Sequence, residues 1–429
     1  MISGIAFLIE MEKNMIIDST KYSGKCSCGR EHNMVTKLSI IESGALRNID
    51  KYMNEYEISG FTVAVYDENT YKGTVDRHPS VDLEVVLSPD NLHANEHGVD
   101  LLLEKLPENV EVLIAVGSGT IHDITRYCAW KLGAKFVSCP TAASVDGFCS
   151  SVAAMTWHGC KKTLTAVAPI IVVADIDVIK NAPTYLAKSG FGDMIGKYIA
   201  LTDWKIANIL TGEFYCDRIA EMTMNATREV MESAEGIESG DESTFEKLIY
   251  GLLLSGLAMQ MFGNSRPASG AEHHISHIIE MSPKGLGVSS DALHGEKVGV
   301  GTIIAAREYH RIAGLKNVEF MDYEEYSPEY IGEVFTEQLY DEIIEENAKD
   351  CAGGVSGKNL KECWKDICKE IKKIPSAENL MDLYERLGIK SKLSDIDVSD
   401  DKEQELVEYS PCVRNRVTLM RLRKCILLV

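Results

Sequence analysis

The chain has 429 residues, of which 44 are Lys or Arg and 65 are Asp or Glu, so its formal net charge is −21. Its 45% hydrophobic and 25% charged residues are typical of a folded protein, and the length suggests about two or three domains. Such a negative chain repels phosphate backbones and anionic lipids, which argues against nucleic-acid binding as the main activity. An anionic substrate therefore needs a local basic or metal site.

The N-terminal residues carry no sign of export. No apolar run approaches the roughly 20 residues that a membrane span needs, and the run at residues 5–9 is followed by Glu10 and Glu12 with no basic residue before it. The 12 cysteines are scattered without a disulfide framework, as in a reducing compartment. We therefore expect a cytoplasmic chain with no membrane span.

Strand-like and helix-like segments alternate in the first half of the chain. Apolar runs closed by turn residues predict strands at residues 61–66, 83–87, 112–116, 135–139 and 169–174. Amphipathic stretches at residues 99–106 and 121–132 predict helices, and residues 152–156 and 162–166 predict a hairpin around His158 and Gly159. This alternation predicts a Rossmann-like parallel sheet covered on both faces.

After Pro183 the pattern predicts helices alone. Ser243 and Glu246 predict a capping box ahead of residues 248–261, which are apolar on every side and predict a central buried helix. A second helix is predicted at residues 377–387, and residues 395–405 predict an acidic loop. We therefore predict an α/β N-terminal domain over residues 1–180 and an all-α C-terminal domain over residues 181–429.

Three elements at the predicted strand ends indicate a nucleotide site. A glycine turn after residues 112–116 would let backbone N–H groups approach a pyrophosphate at a helix N-terminus, although without GxGxxG a structural turn explains it equally well. Asp67 could accept hydrogen bonds from a ribose and favour NAD over NADP, or serve only in a turn. The third element is Thr141-Ala142-Ala143-Ser144. Because all three elements lie at the same edge of the predicted sheet, they predict a dinucleotide-binding site.

The second half contains residues with metal-ligand spacing. Asp193 lies in a glycine-rich segment, residues 190–197, that is predicted to open a helix. His273 and His277 are four residues apart on one helix face, and His294 is predicted to begin the next helix. One carboxylate and two imidazoles leave a coordination position open, as catalytic metals require, whereas each histidine alone could be a cap or core residue. His274 follows His273, so HExxH is absent.

Two other motifs leave alternatives open. Arg266 could bind a phosphate or pair with a carboxylate in a surface loop. Cys26, Cys28 and His32 look like part of a zinc knuckle. However, the partner pair is missing and C-x-C is too tight to be diagnostic. A structural role, or none, is therefore expected there in preference to a metal site.

Five strings together resemble the sn-glycerol-1-phosphate dehydrogenase family: VGSGTIHDITRY, PTAASVDGFCSS, GFGDMIGK, GNSRPASGAEHHISH and LHGEKVGVG. The resemblance implies the dehydroquinate synthase-like fold, shared with iron-dependent alcohol dehydrogenases and glycerol dehydrogenase. It implies a homodimer that uses NAD or NADP and one divalent metal, zinc or nickel. The implied reaction interconverts dihydroxyacetone phosphate and sn-glycerol 1-phosphate.

The resemblance also implies residue roles. The metal ligands would be Asp193, His273 and His294, and the substrate contacts Asp146, Asp193 and His277. His277 or Asp146 would move a proton, and Arg266 or Lys197 would neutralise the phosphate. Cofactor contacts would be Gly117, Ser118, Gly119, Thr120, Ile121, Thr141, Ala142, Ala143, Ser144 and Ser150, with Asp67 on the ribose. Family members often have a histidine where this chain has Val145, so no proton relay is expected there.

Three alternatives remain open at this point. A glycerol-type polyol dehydrogenase would lack phosphate recognition. A lyase of the dehydroquinate synthase type would use NAD only transiently, although that family has a glutamate where Asp193 stands. A binding protein with a degenerate site would bind nucleotide without metal-dependent turnover.

Overall fold

The computed structural model describes residues 15–157 and 160–428. The strands are β1 (Met15–Asp18), β2 (Gly24–Lys25), β3 (Glu31–His32), β4 (Leu38–Glu42), β5 (Thr62–Asp67), β6 (Leu83–Leu87), β7 (Val112–Gly117), β8 (Lys135–Pro140), β9 (Val152–Trp157), β10 (Cys160–Thr165), β11 (Ile171–Asp175), β12 (Val318–Phe320) and β13 (Ile426–Leu428).

The helices of the first half lie between the strands or directly after β11: α1 (Ile49–Glu55), α2 (Glu68–Gly73), α3 (Glu96–Leu103), α4 (Gly119–Leu132) and α5 (Ile176–Ile179). Those that follow build the second half: α6 (Thr184–Ile195), α7 (Lys197–Thr211), α8 (Asp217–Ser233), α9 (Gly236–Ser239), α10 (Glu242–Phe262), α11 (Ala271–Met281), α12 (His294–Ala313), α13 (Pro328–Gly332), α14 (Gln338–Asn347), α15 (Gly357–Ile371), α16 (Ala377–Arg386), α17 (Glu403–Tyr409) and α18 (Leu419–Leu422).

One seven-stranded sheet organises the first half, with the strand order β1-β4-β11-β8-β7-β5-β6. All its neighbours are parallel except β1, which pairs antiparallel with β4. Alternate residues of the central strands serve two cores. Ala64 and Ile114 face a core that includes Ile49 of α1, whereas Val63 and Leu113 face a core with α3 and α4. This is the predicted parallel sheet covered on both faces, and that prediction is confirmed.

The strand order reverses between β5 and β7. The chain leaves β5 towards the neighbouring edge strand β6, and it leaves β7 in the other direction, towards β8 and β11. In open parallel sheets, ligands bind in the crevice beyond the carboxyl ends of the strands at such a switch point. Asp67 ends β5 and Gly117 ends β7, so the two flank this crevice.

The helical second half packs around one large core. α10 runs through its middle and buries residues on every side, among them Leu248, Leu252 and Leu257, which confirms the predicted central helix. The structure adds a short antiparallel pair, β12 with β13, which the sequence pattern did not indicate. Because the boundary near residue 180 rested on composition and pattern, the division into residues 1–180 and 181–429 remains a proposal.

Three local predictions are corrected. α10 begins at Glu242, and the carboxylate of Asp241 caps it by accepting from the backbone N–H of Thr244 at 2.9 Å, so no capping box forms at Ser243. Residues 395–405 form short helical turns that lead into α17. The third correction concerns the segment containing Asp193 and is described with the site.

Other predictions stand as made. The predicted hairpin is present as β9 and β10, and its turn at His158 and Gly159, like the run at residues 5–9, lies outside the described residues. Ser376 caps α16 and Gly388 follows it with a φ of +58°, as expected for a helix between Pro375 and Gly388. Within the described ranges, no helix is long and apolar enough to cross a membrane.

Candidate metal and nucleotide site

The glycine turn lies where β7 meets α4. Ser118 is the residue before α4 and makes no side-chain cap, so its hydroxyl does not satisfy the first N–H groups of the helix. A side chain at Gly117 would clash, because its Cβ would lie 2.6 Å from the Cβ of Ile121. The turn therefore brings free backbone donors, including those of Gly119 and Thr120, to the crevice between β5 and β7, as an anion site requires.

Asp67 caps the N-terminus of α2 beside this crevice. It is the residue before α2, and its Oδ1 accepts from the backbone N–H groups of Asn69 at 2.8 Å and Thr70 at 2.9 Å. The turn role is thus present in the structure. The ribose role remains a prediction, which the position of Asp67 beside the glycine turn favours.

A loop at residues 141–146 connects the glycine turn to the second half. At its start, the N–H of Thr141 donates to the carbonyl of Gly117 at 3.0 Å. At its end, the N–H of Asp146 donates to Oδ2 of Asp193 at 3.0 Å. The residues between, Ala142, Ala143 and Ser144, are buried. Within six residues the chain thus runs from the predicted pyrophosphate site to the predicted metal site.

Ser150 lies a short distance further along the chain. Its hydroxyl accepts from the N–H of Val152 at 3.1 Å. It also lines a cleft of about 660 Å³. A hydroxyl oxygen that accepts in this way keeps its proton available, so the predicted cofactor contact remains chemically open.

Asp193, His273 and His294 come together as the sequence predicts. One ligand atom from each lies within 4.8 Å of the others, and Nε2 of His273 is 3.6 Å from Oδ1 of Asp193. Asp193 and His273 are buried, whereas His294 is partly exposed. The ring centroids of His273 and His294 are 5.3 Å apart. A carboxylate and two imidazoles that converge with one open side fit a catalytic divalent cation.

Two glutamates orient the imidazoles, and the sequence analysis did not single them out. Oε1 of Glu272 is 2.7 Å from Nδ1 of His273, and Oε1 of Glu280 is 2.9 Å from Nδ1 of His294. A carboxylate that accepts the Nδ1 proton leaves Nε2 unprotonated, which is the form that binds a metal. Glu280 also outweighs burial and raises the pKa of His294. The donor set therefore fits a metal.

Asp193 lies in the last turn of α6, not in the first turn of a helix as predicted. Pro183 precedes the helix, which begins at Thr184. The glycines that suggested a helix start instead permit close packing. A side chain at Gly190 would overlap the carbonyl oxygen of Ala143, and one at Gly192 would overlap that of Gly295. α6 thereby approaches both the loop at residues 141–146 and the start of α12.

Lys197 joins the two predicted substrate carboxylates. Its Nζ lies 2.8 Å from Oδ1 of Asp193, 2.8 Å from Oδ2 of Asp146, and 3.1 Å from the carbonyl of Ala268. Its side chain is fully buried. Burial alone would lower the pKa of Lys197, but the two carboxylates outweigh it and raise the pKa. Lys197 thus serves Asp146 and Asp193 as their counter-ion.

Charges around Asp193 keep it ionised. Burial by itself would raise the pKa of its carboxyl, but Lys197, His273 and His294 together lower that pKa below its usual value. Asp146 is also held by Ser255, whose hydroxyl donates to Oδ2 at 2.8 Å.

His277 faces the same group of rings. Its centroid is 5.9 Å from that of His273 and 6.0 Å from that of His294. Among the described residues, its buried Nδ1 has no hydrogen-bond partner. Burial and then Arg414 lower the pKa of His277 well below its usual value, so the ring is neutral at pH 7. A neutral imidazole can accept a proton on one ring nitrogen and donate a hydrogen bond from the other.

The two predicted phosphate-binding residues are engaged elsewhere. Lys197 is enclosed between carboxylates, and Arg266 is buried with its Nε 2.8 Å from Oε1 of Glu213. The Nη2 atom of Arg266 donates to the backbone carbonyls of Asp203 and Val417. The carboxylate pairing anticipated as an alternative for Arg266 is thus the one present, although in a buried position.

Arg414, which the sequence analysis missed, lines the cleft of about 660 Å³. Its guanidinium makes no hydrogen bond or ion pair with the residues that the structure describes. Lys161 lines the same cleft, and its Nζ is 3.9 Å from Oε2 of Glu280, the carboxylate bonded to His294. The cleft therefore borders the group formed by Asp193, His273 and His294. Its wall also contains three glutamates, Glu342, Glu345 and Glu346.

Comparisons with known proteins show which family this chain is similar to. A family model described as iron-containing alcohol dehydrogenase matches residues 40–183. A glycerol-1-phosphate dehydrogenase (NAD(P)+) of Halalkalibacterium halodurans is 32% identical over 419 residues, which cover 95% of this chain and 97% of that protein. A protein of the same name from Bacillus licheniformis is 31% identical over 415 residues, which cover 94% of this chain and 92% of that protein.

Solved structures support the fold. A probable glycerol dehydrogenase from Sinorhizobium meliloti superposes with a TM-score of 0.59 at 17% identity, covering 89% of this chain and 90% of that one. A sulfoacetaldehyde reductase from Bifidobacterium kashiwanohense in complex with NAD+ superposes with a TM-score of 0.58 at 14% identity, covering 92% of this chain and 96% of that one. At such identities the likeness shows the fold alone, and the predicted fold class is confirmed. By its full-length relatives, the chain belongs to the glycerol-1-phosphate dehydrogenase (NAD(P)+) family of oxidoreductases.

Proposed function

We propose that this chain reduces dihydroxyacetone phosphate to sn-glycerol 1-phosphate with NADH or NADPH, and catalyses the reverse reaction. The observation that carries the proposal is the loop at residues 141–146. It bonds to Gly117 of the glycine turn at one end and to Asp193 of the metal cluster at the other. A nicotinamide and a metal-bound substrate would therefore meet across one short segment.

Asp193, His273 and His294 would hold the divalent metal. When bound, the metal supplies Lewis-acid stabilisation to the oxygen at C2 of the substrate. Glu272 and Glu280 keep the two imidazoles in the tautomer that binds a metal. These residues therefore orient the ligands before substrate arrives, which lowers the reorganisation needed during the reaction.

His277 is the side chain that we propose moves the proton. In the reductive direction, C2 gains a hydride from the nicotinamide, and its oxygen gains a proton from the imidazolium form of His277. The ring is then neutral and takes its next proton from solvent. In the oxidative direction, the neutral ring accepts that proton. Because burial lowers the pKa of His277, the ring does not remain protonated at pH 7 and can pass the proton on to solvent.

Asp146 positions this region instead of standing free as an acid. Its carboxylate is held by Lys197 and Ser255, while its backbone N–H holds Asp193. A carboxylate fixed by two donors keeps its remaining oxygen, Oδ1, available to a substrate hydroxyl. We therefore assign Asp146 to substrate orientation.

Arg414 is our candidate for the substrate phosphate. The overall charge of −21 disfavours an anion, so a local cation must compensate. Arg414 provides a planar fork suited to phosphate, and Lys161 adds a second charge in the same cleft. Arg414 also lowers the pKa of His277, so a phosphate bound to Arg414 would lie near the proposed proton donor.

The experiment compares NADH oxidation with dihydroxyacetone phosphate and with dihydroxyacetone, and identifies the product enantiomer. We expect a large preference for the phosphate and formation of sn-glycerol 1-phosphate. Equal efficiency on the two ketones would contradict phosphate recognition and favour a polyol dehydrogenase. The absence of net NADH oxidation would favour the lyase or binding-protein alternatives.

Arg414→Ala tests the phosphate contact. A hydrogen bond to a charged group contributes about 1.5–3 kcal/mol, so KM for dihydroxyacetone phosphate should rise roughly 10- to 100-fold. Activity on dihydroxyacetone should change little. Arg386→Ala, at an exposed arginine paired with Glu235, is the matched control. An unchanged KM in Arg414→Ala would remove Arg414 from the phosphate site.

Some finer expectations remain predictions from the family resemblance. These are zinc or nickel as the metal, the preference between NAD and NADP, the homodimer and the cytoplasmic location. The cofactor contacts at Gly117 to Ile121, Thr141 to Ser144 and Ser150 are likewise proposals. The geometry of the glycine turn and its neighbouring loop supports them.

A further inference from the structure

Three thiols and one imidazole meet in a second cluster. Cys26 and Cys28 lie in the turn between β2 and β3, His32 ends β3, and Cys216 immediately precedes α8. One ligand atom from each lies within 4.8 Å of all the others. His32 and Cys216 are buried, whereas Cys26 and Cys28 are half-buried. None of the four belongs to the site described above.

We propose that Cys26, Cys28, His32 and Cys216 bind one Zn²⁺ as a structural site. Three thiolates and one imidazole form a donor set that zinc binds tetrahedrally in structural sites. The inference is independent of the proposed function, because it concerns other residues and another role.

The distances within the cluster are those of a zinc tetrahedron. With Zn–S near 2.3 Å and Zn–N near 2.0 Å, tetrahedral geometry places two sulfurs about 3.8 Å apart and a sulfur and a nitrogen about 3.5 Å apart. The Sγ atoms of Cys26 and Cys216 are 3.8 Å apart. Nε2 of His32 is 3.4 Å from Sγ of Cys28 and 3.6 Å from Sγ of Cys216. The donors are therefore already spaced around a common centre.

His32 is oriented for metal binding. Its Nδ1 lies 2.7 Å from the carbonyl oxygen of Met261, near the end of α10. A carbonyl can only accept, so Nδ1 carries the proton and Nε2 presents its lone pair to the cysteines. Metal-binding histidines are commonly held by such a carbonyl. This contact distinguishes the cluster from a chance meeting of thiols.

The backbone of the hairpin explains how two cysteines so close in sequence can serve one ion. The N–H of Cys26 donates to the carbonyl of Arg30 at 2.9 Å, and the N–H of Gly29 donates to the carbonyl of Cys26 at 3.0 Å. Gly29 has a φ of +87°, which favours glycine at this turn. The tight turn directs both thiols to the same side, where Cys216 completes the set.

The site would be closed and therefore structural. Four protein ligands leave no position for a substrate. The ion would fasten residues 24–32 to the start of α8 and, through His32, to the end of α10. Two other contacts join the N-terminal segment to the region at the start of α8. Arg218 donates to the carbonyl of Lys21 at 2.7 Å, and the guanidinium of Arg30 lies 3.4 Å from the ring centroid of Phe214. Loss of the ion should loosen the hairpin first.

The test measures zinc per chain in the full-length protein purified from zinc-supplemented cells. Cys216→Ser should contain one zinc per chain fewer than Cys363→Ser, a control at a half-buried cysteine hydrogen-bonded to Asn359. Equal zinc in these two variants would overturn the proposal. His273→Ala should keep the zinc bound to the cysteines even if it loses all dehydrogenase activity, so a failure of either proposal can be recognised separately.

A second measurement uses the unmodified chain, in case Cys216→Ser does not fold. The metal-stripped protein is loaded with Co²⁺, and thiolate-to-cobalt charge-transfer absorption together with intense tetrahedral d–d bands is expected. Their absence from the loaded protein would contradict the proposal. So would a disulfide between Cys26 and Cys216 in the freshly purified protein, detected by alkylation and mass spectrometry. A disulfide requires sulfurs about 2.05 Å apart, whereas these are at 3.8 Å.

Discussion

Replacing Lys197 by methionine should destabilise the metal-free protein strongly. Methionine keeps much of the length of the side chain but removes the charge that lies 2.8 Å from both Asp146 and Asp193. Asp193, which is fully buried, and Asp146, which is 13% exposed, would then remain without their counter-ion. Removal of one partner of a buried ion pair typically costs about 3–5 kcal/mol, so the free energy of unfolding should fall by that amount.

The matched control is Lys180→Met. Lys180 also bridges two carboxylates, Glu242 at 2.5 Å and Asp177 at 3.7 Å, but its side chain is 29% exposed. Exposed pairs contribute about 0–1 kcal/mol, so this variant should lose little. The two lysines thus differ mainly in burial.

Urea unfolding of both variants and the unmodified chain, followed by circular dichroism after chelator treatment, measures the difference. Added Zn²⁺ or Ni²⁺ should recover part of the deficit of Lys197→Met, because a cation beside Asp193 takes over part of the neutralisation. A loss below about 1 kcal/mol in Lys197→Met, equal to that of an exposed pair, would refute the counter-ion role.

Three further variants test other parts of the site. Glu280→Gln should weaken metal affinity roughly 10- to 100-fold in competition with a chromophoric chelator, because His294 loses its orienting carboxylate; unchanged affinity would contradict that role. His277→Gln should lower kcat roughly 10²- to 10⁴-fold at constant metal content, and a normal kcat would exclude it as the proton donor. Gly190→Ala should lower both thermal stability and nucleotide affinity, since its methyl group would displace from α6 the loop at residues 141–146, which is proposed to contact the cofactor. Gly354→Ala, which has open space around its Cβ position, should change neither.

The sequence predicted those parts of the fold that depend on local pattern. Apolar runs closed by turn residues located strands close to β5 to β8, because a strand buried on both faces must be almost wholly apolar. The spacing of His273 and His277 placed both on α11, and His294 begins α12 as expected. The start of α10 was wrong because Asp241 and Ser243 are both good capping residues, and only the extended backbone of Asp241 selects it.

The remaining features depend on contacts between residues far apart in the chain. Cys26 and Cys28 looked incomplete as a motif because Cys216, 190 positions after Cys26, supplies the missing thiol. The position of Asp193 late in α6 was missed because glycines that allow close helix packing resemble those that begin a helix. Arg414, the residue proposed to bind the phosphate, was missed because a ligand-binding arginine would have no local pattern to distinguish it from one in an ion pair.

The most direct test of the account is the restoration of activity to the metal-stripped chain. NADH oxidation with dihydroxyacetone phosphate is measured after chelation and again after titration with Zn²⁺ or Ni²⁺, in the unmodified chain and in His273→Ala. We expect the unmodified chain to lose its activity when the metal is removed and to regain it with added metal, whereas His273→Ala should regain almost none. Full activity in the stripped protein, or full recovery in His273→Ala, would contradict a metal held by Asp193, His273 and His294.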